Sequence, residues 1–427
     1  MAKEQEMYEG MPVIEATDTR TMERKLEKME ARPTAPYVVR FPKKTTKIKK
    51  EAFRFDIDVA VVIIPDSVTE ICEDAFNGCK NLTSIVVPKS LVTIGERAFD
   101  DCYALQSIIV EEGNPVFDSR CGCNAIIKTD TNELILGCKN TIIPDSVTKI
   151  GNTAFHGRKS LTQIVIPNSV TEIGYMAFYG CTGLTDIVIP ESVTNIGFEA
   201  FEKCSGLISI NIPDPVKVIE SAVFRGCTSL TSITIPHSVT KIGWDAFKDC
   251  VGLTSIEIPN SVTSIGSTAF WGCTGLESIM IPNSVENIGK QAFNNCSGLN
   301  SIVVEEGNPV FDSRNKCNAI IETATNTLIG GCLNSTIPDS VTEIREFAFE
   351  DCIGLKSIEI PNSVTKIGTA AFQGCKGLTS VTIPESVIEI SWSAFNNCNS
   401  LNKVVIPNPA TIIAEDAFPN STEIIRK

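Results

Sequence analysis

One phrase recurs fourteen times between Ala52 and Phe418, close to Ile-Pro-x-Ser-Val-Thr-x-Ile-Gly-x-x-Ala-Phe-x-x-Cys-x-x-Leu-x-x-Ile. The box alanine stands at 52, 75, 98, 154, 177, 200, 246, 269, 292, 348, 371, 394 and 417, with Val223 in its place once. Successive boxes lie 23 residues apart in eleven intervals and 56 apart in two. A fixed period in the twenties describes one supersecondary unit stacked on itself, and the Leu-x-x-Ile-x-Ile spacing within it follows leucine-rich-repeat patterning. The predicted fold class is a mainly β repeat solenoid of 23-residue coils, with short strands, short helical turns and two β-hairpin insertions. Function is then to be sought on a long repeated surface.

The turn from Cys250 to Cys273 shows the role of each column. Ile256 and Ile258 sit two apart, so a strand points both into the core while Ser255 and Glu257 face out. Pro259 has no N–H for a parallel ladder and ends the strand. Val262 and Ile265 form a second inward run, and Gly266 marks a corner where a side chain would crowd or where φ is positive. Ala269 and Phe270 begin a short helical turn, with phenylalanine filling the coil. No turn buries this face alone; stacking makes one core. An aromatic content of only 7% fits one stacked phenylalanine column.

On these residues the chain resembles the BspA-type leucine-rich repeats of the Bacteroides group and of trichomonad parasites, over residues 42–427. The resemblance implies a right-handed solenoid and a non-enzymatic role in binding proteins or cell surfaces, as in adhesins. It does not transfer a ligand, because such repeats mark fold more than partner.

Residues 1–41 lie outside the repeat. Met22, Leu26 and Met29 fall at i, i+4, i+7 in an amphipathic helix over Thr19–Arg32, ended by Pro33. It reads as a cap over the first open coil, with a partner-binding helix and a loose tail as alternatives. Lys43, Lys44, Lys47, Lys49 and Lys50 crowd the first, degenerate coil with a solvated positive edge.

Both long intervals carry the same insertion, about residues 111–143 and 305–337. Val110–Arg120 reappears as Val304–Arg314, an offset of 194 that marks duplication of a block. Ala125–Ile127 and Leu134–Leu136 flank a polar turn at Asp130 and Thr131, a hairpin pattern whose symmetry sets Cys123 opposite Cys138 and Cys317 opposite Cys332. An interrupting insertion marks a partner surface, or simply lengthens one coil.

Seventeen cysteines suggest a disulfide framework until they are placed. Eleven fall in one column (79, 102, 181, 204, 227, 250, 273, 296, 352, 375, 398), where stacked side chains point the same way at strand spacing. That geometry suits free buried thiols, not disulfides. Only Cys123–Cys138 and Cys317–Cys332 are open to pairing. Cys121-Gly-Cys123 is a poor zinc motif without histidine. Glu111, Glu112 and Asp118, with Glu305, Glu306 and Asp312, read as acidic turns, with calcium the sharper alternative.

Chemistry is sparse. His156 and His237 are the only histidines, both read as surface loop positions, and no phosphate loop, HExxH or GxSxG is present. The expectation is no enzyme activity, no cofactor and no metal. A net charge of −14 disfavours nucleic acid. No run of about 18 apolar residues offers a membrane span, and the start lacks a secretory pattern. With the unpaired thiols this predicts a cytoplasmic location, the alternative being the cell surface or export by a signal-independent route. The expected partner is a protein, bound on the outward strand positions Val165, Val188, Asn211, Thr234, Glu257, Met280 and Val303; the alternative is a cytosolic scaffold or sensor subunit docking through the solenoid and the N-terminal helix.

Overall fold

A computed structural model describes residues 11–28 and 35–427. Two compact units divide the chain, one up to Pro215 and one from Val216. Both are built from β-rich coils of about 23 residues, with little helix.

The second inward run, which the sequence marks only by residues such as Val262 and Ile265, forms the most regular ladder. In the first unit Lys149 pairs in parallel with Glu172, and Glu172 with Asn195; in the second, Lys241 pairs with Ser264, and Ser264 with Asn287. The Leu-x-x-Ile-x-Ile run pairs in stretches, for example Ser84–Val87 with Ser107–Val110 and Ser278–Ile281 with Ser301–Val304. Between those stretches the backbone bonds lengthen, to 3.5 Å from Thr185 N–H to the Thr162 carbonyl and 3.4 Å from Glu277 to Thr254.

Recurring residues of the phrase tie the chain within a coil and to the coil before. Val262 N–H donates to the Pro259 carbonyl at 3.0 Å, so the Pro-x-Ser-Val phrase is a tight turn. The Ser284 hydroxyl donates to the Val262 carbonyl one coil back at 2.7 Å. Gly266 is required by space rather than by φ: a Cβ there would lie 2.6 Å from the Gly243 carbonyl carbon. The left-handed residue falls two positions on, at Thr268 with φ 55°.

That left-handed residue keeps the short turn at the box alanine and phenylalanine from extending back into a longer helix. Asp245, Thr268 and Gln291, each just before the box alanine, have φ of 54–58°. A right-handed helix cannot pass through such a residue. The Ala-Phe segment is a run of i to i+3 turns, as in Cys273 N–H to the Phe270 carbonyl at 3.1 Å. Alanine lets neighbouring coils touch through backbone, with Phe247 N–H donating to the Ala269 carbonyl at 2.8 Å. The phenylalanine rings stack along each unit, Phe155 on Phe178 at 5.1 Å and Phe247 on Phe270 at 5.3 Å.

At the N-terminal side, Val13–Glu15 pairs in parallel with Tyr37–Arg40. Helix α1 spans Thr19–Leu26, with the Asp18 carboxylate accepting from Thr21 N–H as its N-cap. The helix is shorter than expected, and Met29 lies outside the described residues. Met22 and Leu26 are buried in the same core as Ile48 and Phe53 of the first coil. Two lysines of that coil reach the next one, Lys47 to Glu70 at 2.8 Å and Lys50 to Glu73 at 2.7 Å.

Candidate protein-binding face and hairpin junctions

Strand alternation sends every second residue of the Leu-x-x-Ile-x-Ile run outward. In the first unit Val165 is 83% exposed and Val188 68%, while Ile164, Ile166, Ile187 and Ile189 beside them are buried. Asn211 continues that row but is half-buried. Its amide donates to the Ile189 carbonyl at 2.7 Å and its oxygen accepts from Ile189 N–H at 2.9 Å, so it ties two coils together. In the second unit Met280 is 60% exposed and faces its register partner Val303. Thr234 and Glu257 are exposed on segments without strand pairing. Gln163, Asp186 and Ser209 flank the row in one unit, Ser232 in the other.

The insertions fold as antiparallel hairpins with one strand more than the sequence suggests. Ala125–Lys128 pairs with Glu133–Gly137 on one side and with Phe117–Asp118 on the other. A bulge between Ile126 and Ile127 shifts the register by one, from Ile127 opposite Leu134 to Ala125 opposite Gly137. The Cys138 thiol consequently donates to the Asn124 carbonyl at 3.4 Å, and the Cys123 thiol meets the Ala125 carbonyl at 3.8 Å. Cys332 and Cys317 repeat this arrangement with Asn318 and Ala319. Four of the six acidic residues are engaged as well. Asp118 holds Arg120 at 2.6 Å, Asp312 holds Arg314, and Glu111 and Glu305 accept from the backbone of Lys89 and Asn283. Among the described residues no group of three His, Cys, Asp or Glu is placed to hold a metal ion.

The column cysteines are more than small hydrophobes. Most of these thiols donate to the carbonyl of the box phenylalanine one coil back, as in Cys204 to Phe178 at 3.0 Å and Cys273 to Phe247 at 3.1 Å. Burial pushes Cys181, Cys250 and Cys296 up to about 12.

Arg158, which stands in this column, is completely buried. Its guanidinium takes over the cysteine's bond, donating to the Phe99 carbonyl at 3.1 Å, and adds Gly137 at 2.9 Å and His156 at 2.8 Å. His156 is accordingly not a surface loop residue; His237 is exposed as expected. The His156 side chain is 12% exposed, its ring stacks on Tyr179 at 4.6 Å, and Nδ1 lies 3.4 Å from Asp101 and 3.8 Å from Asp100. Burial raises the Asp100 carboxyl above its ordinary range, opposed by His156 and Arg158. The signal in the sequence was the arginine in a cysteine column, whose partners only the fold reveals.

Residues 38–135, 133–251, 196–320 and 330–426 match the family described as "BspA type Leucine rich repeat region (6 copies)". Among solved structures, the chain is similar to a leucine rich cell surface protein from Faecalibacterium prausnitzii, with 32% identity over 73% of this chain and 88% of that one, at a TM-score of 0.61. A leucine-rich repeat protein from Eubacterium ventriosum shares 25% identity over 60% of this chain and 76% of that one, at a TM-score of 0.52. No curated protein matches the chain. Among the described residues no helix is long and apolar enough to cross a membrane.

Proposed function

Because the chain belongs to the BspA-type leucine-rich-repeat family, we propose that it is a non-enzymatic protein-binding module of adhesin-like type, gripping its partner through the outward strand positions. The observation that carries this reading is the pair Val165 and Val188, aliphatic side chains 83% and 68% exposed on adjacent coils and rimmed by polar residues. Met280 and Val303 repeat the pattern in the second unit. A solvated sheet face favours charged or hydroxylic side chains, and apolar groups rimmed by polar ones mark interfaces. The name of the Faecalibacterium relative supports a place at the cell surface.

The test compares wild-type protein with Val165→Lys/Val188→Lys and Met280→Lys/Val303→Lys variants. Capture of a cell-surface ligand should be lost in at least one variant while the melting transition stays within a few degrees. Undiminished capture by both well-folded variants refutes the strand-face reading.

A scaffold or sensor role is the second reading, favoured by the buried, unpaired thiols, which suit a reducing compartment. Helix α1 supports a cap rather than a docking piece, since Met22 and Leu26 face the first coil. Biotinylation of intact cells separates the readings: labelling supports the surface, and protection supports the scaffold.

A further inference from the structure

The regular ladder of the first unit breaks where the first insertion enters, between Thr93–Ile94 and Glu133–Gly137. A cleft of about 460 Å³ opens there, with Phe117 and Leu136 among its apolar walls and Glu96, Asp100, Lys128 and Asn152 among its polar ones. The Asp100 side chain is only 5% exposed, and its Oδ2 has no hydrogen-bond partner. Arg97 turns out of the cleft to Glu73 at 2.8 Å and Asp74 at 3.2 Å. Arg158 donates to carbonyls only. Among the described residues, neither Glu96 nor Asp100 has a lysine or arginine within ion-pair distance.

The duplicated block shows what such a gap holds when the chain fills it. At the offset of 194, Glu96 becomes Lys290, Asn152 becomes Glu346 and Asp100 becomes Asn294. Lys290 crosses to Glu346 at 2.6 Å, and the Asn294 amide donates to the Phe347 carbonyl at 2.8 Å. The second unit therefore provides its own cation and its own donor across the gap. The first unit has a carboxylate in both places. Beside it, Tyr175 donates its N–H to Asn152 at 3.0 Å and packs its ring on Phe198 at 4.8 Å, leaving Phe198 49% exposed. Aromatic faces next to carboxylates favour cations.

We propose that this cleft receives the ammonium or guanidinium end of a lysine- or arginine-bearing segment of a partner protein, with Asp100 and Glu96 as its anionic contacts. The site is distinct from the strand face, so lysine variants at Val165 and Val188 leave it intact.

The experiment is calorimetric titration of the full chain with the blocked tripeptides Gly-Lys-Gly and Gly-Arg-Gly, with Gly-Gln-Gly as neutral control and cadaverine as a free diamine. Saturable binding of the cationic peptides is expected, with none for the neutral one. Asp100→Asn and Glu96→Lys each place the second unit's residue in the first, and each should weaken binding about tenfold or more, the range for a lost charge-assisted bond. Lys128→Glu, which copies Glu322, should tighten it. Absence of saturable binding, equal binding of Gly-Gln-Gly, or unchanged affinity in both well-folded variants overturns the proposal. Cadaverine binding more tightly than either peptide overturns the protein-segment source and assigns the site to a free amine.

Discussion

The two hairpin junctions share a backbone and differ in charge. Both insertions have the same three-stranded antiparallel order and the same bulge, at Ile126/Ile127 and at Ile320/Ile321. At the first junction the buried positions hold Asp100, His156 and Arg158; at the second, the residues 194 further on are Asn294, Glu350 and Cys352. The first is an ionic cluster around a buried guanidinium. At the second, the Asn294 and Gln291 amides both donate to the Glu350 carboxylate, and Lys290 pairs with Glu346. The stacked backbone dictates where carbonyls need donors, and chemically unrelated side chains meet that need. Arg158 makes no ion pair with Asp100, yet its charge opposes the burial that raises that carboxyl.

The sharpest way to break this comparison is to delete the buried cation. Arg158→Ala should cost about 3–5 kcal/mol, because it strands several buried carbonyls and removes the charge that opposes the burial of Asp100. Cys352→Ala should cost only about 1 kcal/mol, since that thiol makes one long contact, 3.9 Å to the Gly331 carbonyl. Arg158→Cys combined with Asp100→Asn should recover most of the Arg158 loss, as it rebuilds the second junction's chemistry. Urea titration of the three variants beside wild type gives the answer. Equal losses at both junctions, or no recovery in the double variant, would mean that the cluster is not coupled.

A smaller, pH-dependent difference sharpens it. Burial, the largest cause, raises the Asp100 carboxyl in the folded protein above its ordinary value of 3.8. The native state then holds that proton more tightly than the unfolded chain, so Asp100 favours folding at low pH, and this contribution is lost as pH rises from about 4 through the folded value. Asn294 cannot titrate. The melting temperature of Asp100→Asn relative to wild type should therefore climb between about pH 4 and pH 7, while Asn294→Ala shows a pH-independent offset. A flat difference for Asp100→Asn would show that the carboxyl titrates as it does in water.

Much of this architecture was readable from spacing alone. Alternation at Ile256 and Ile258 placed Glu257 outside, and the 23-residue interval placed Phe247 on Phe270. What the spacing did not carry were properties of single residues set by neighbours one coil away. The left-handed φ at Thr268 has no signature of its own, since Asp245 and Gln291 occupy the same conformation with different chemistry. The hairpin bulge moved Cys138 off Cys123 by one residue, which a symmetry argument about the turn cannot detect. Arg158 finds its partners, Phe99 and Gly137, on segments that only the insertion brings near. Of the strand-face row, Val165 and Val188 are exposed, whereas Asn211 is a tie between coils.

The smallest expected difference between the junctions is a single thiol. Cys121 is exposed in the first insertion, where the second has Asn315, and both adopt the left-handed conformation with φ 58°. Cys102 is buried and pushed up to about 12 by desolvation, as are Cys181, Cys250 and Cys296. Thiolate is the reactive form, so at neutral pH each of these carries roughly one reactive molecule in 10⁵ before its shielding is counted. A maleimide probe should label one fast site in the native chain, and Cys121→Asn should remove it. Half-buried Cys72 and Cys352 should follow slowly, and the rest only after unfolding. Mass spectrometry under non-reducing conditions completes the test. Labelling of Cys138 as fast as Cys121, or a Cys123–Cys138 disulfide in the native protein, would mean that the Cys138 bond to the Asn124 carbonyl opens readily. The first junction would then be the looser of the two despite its buried arginine.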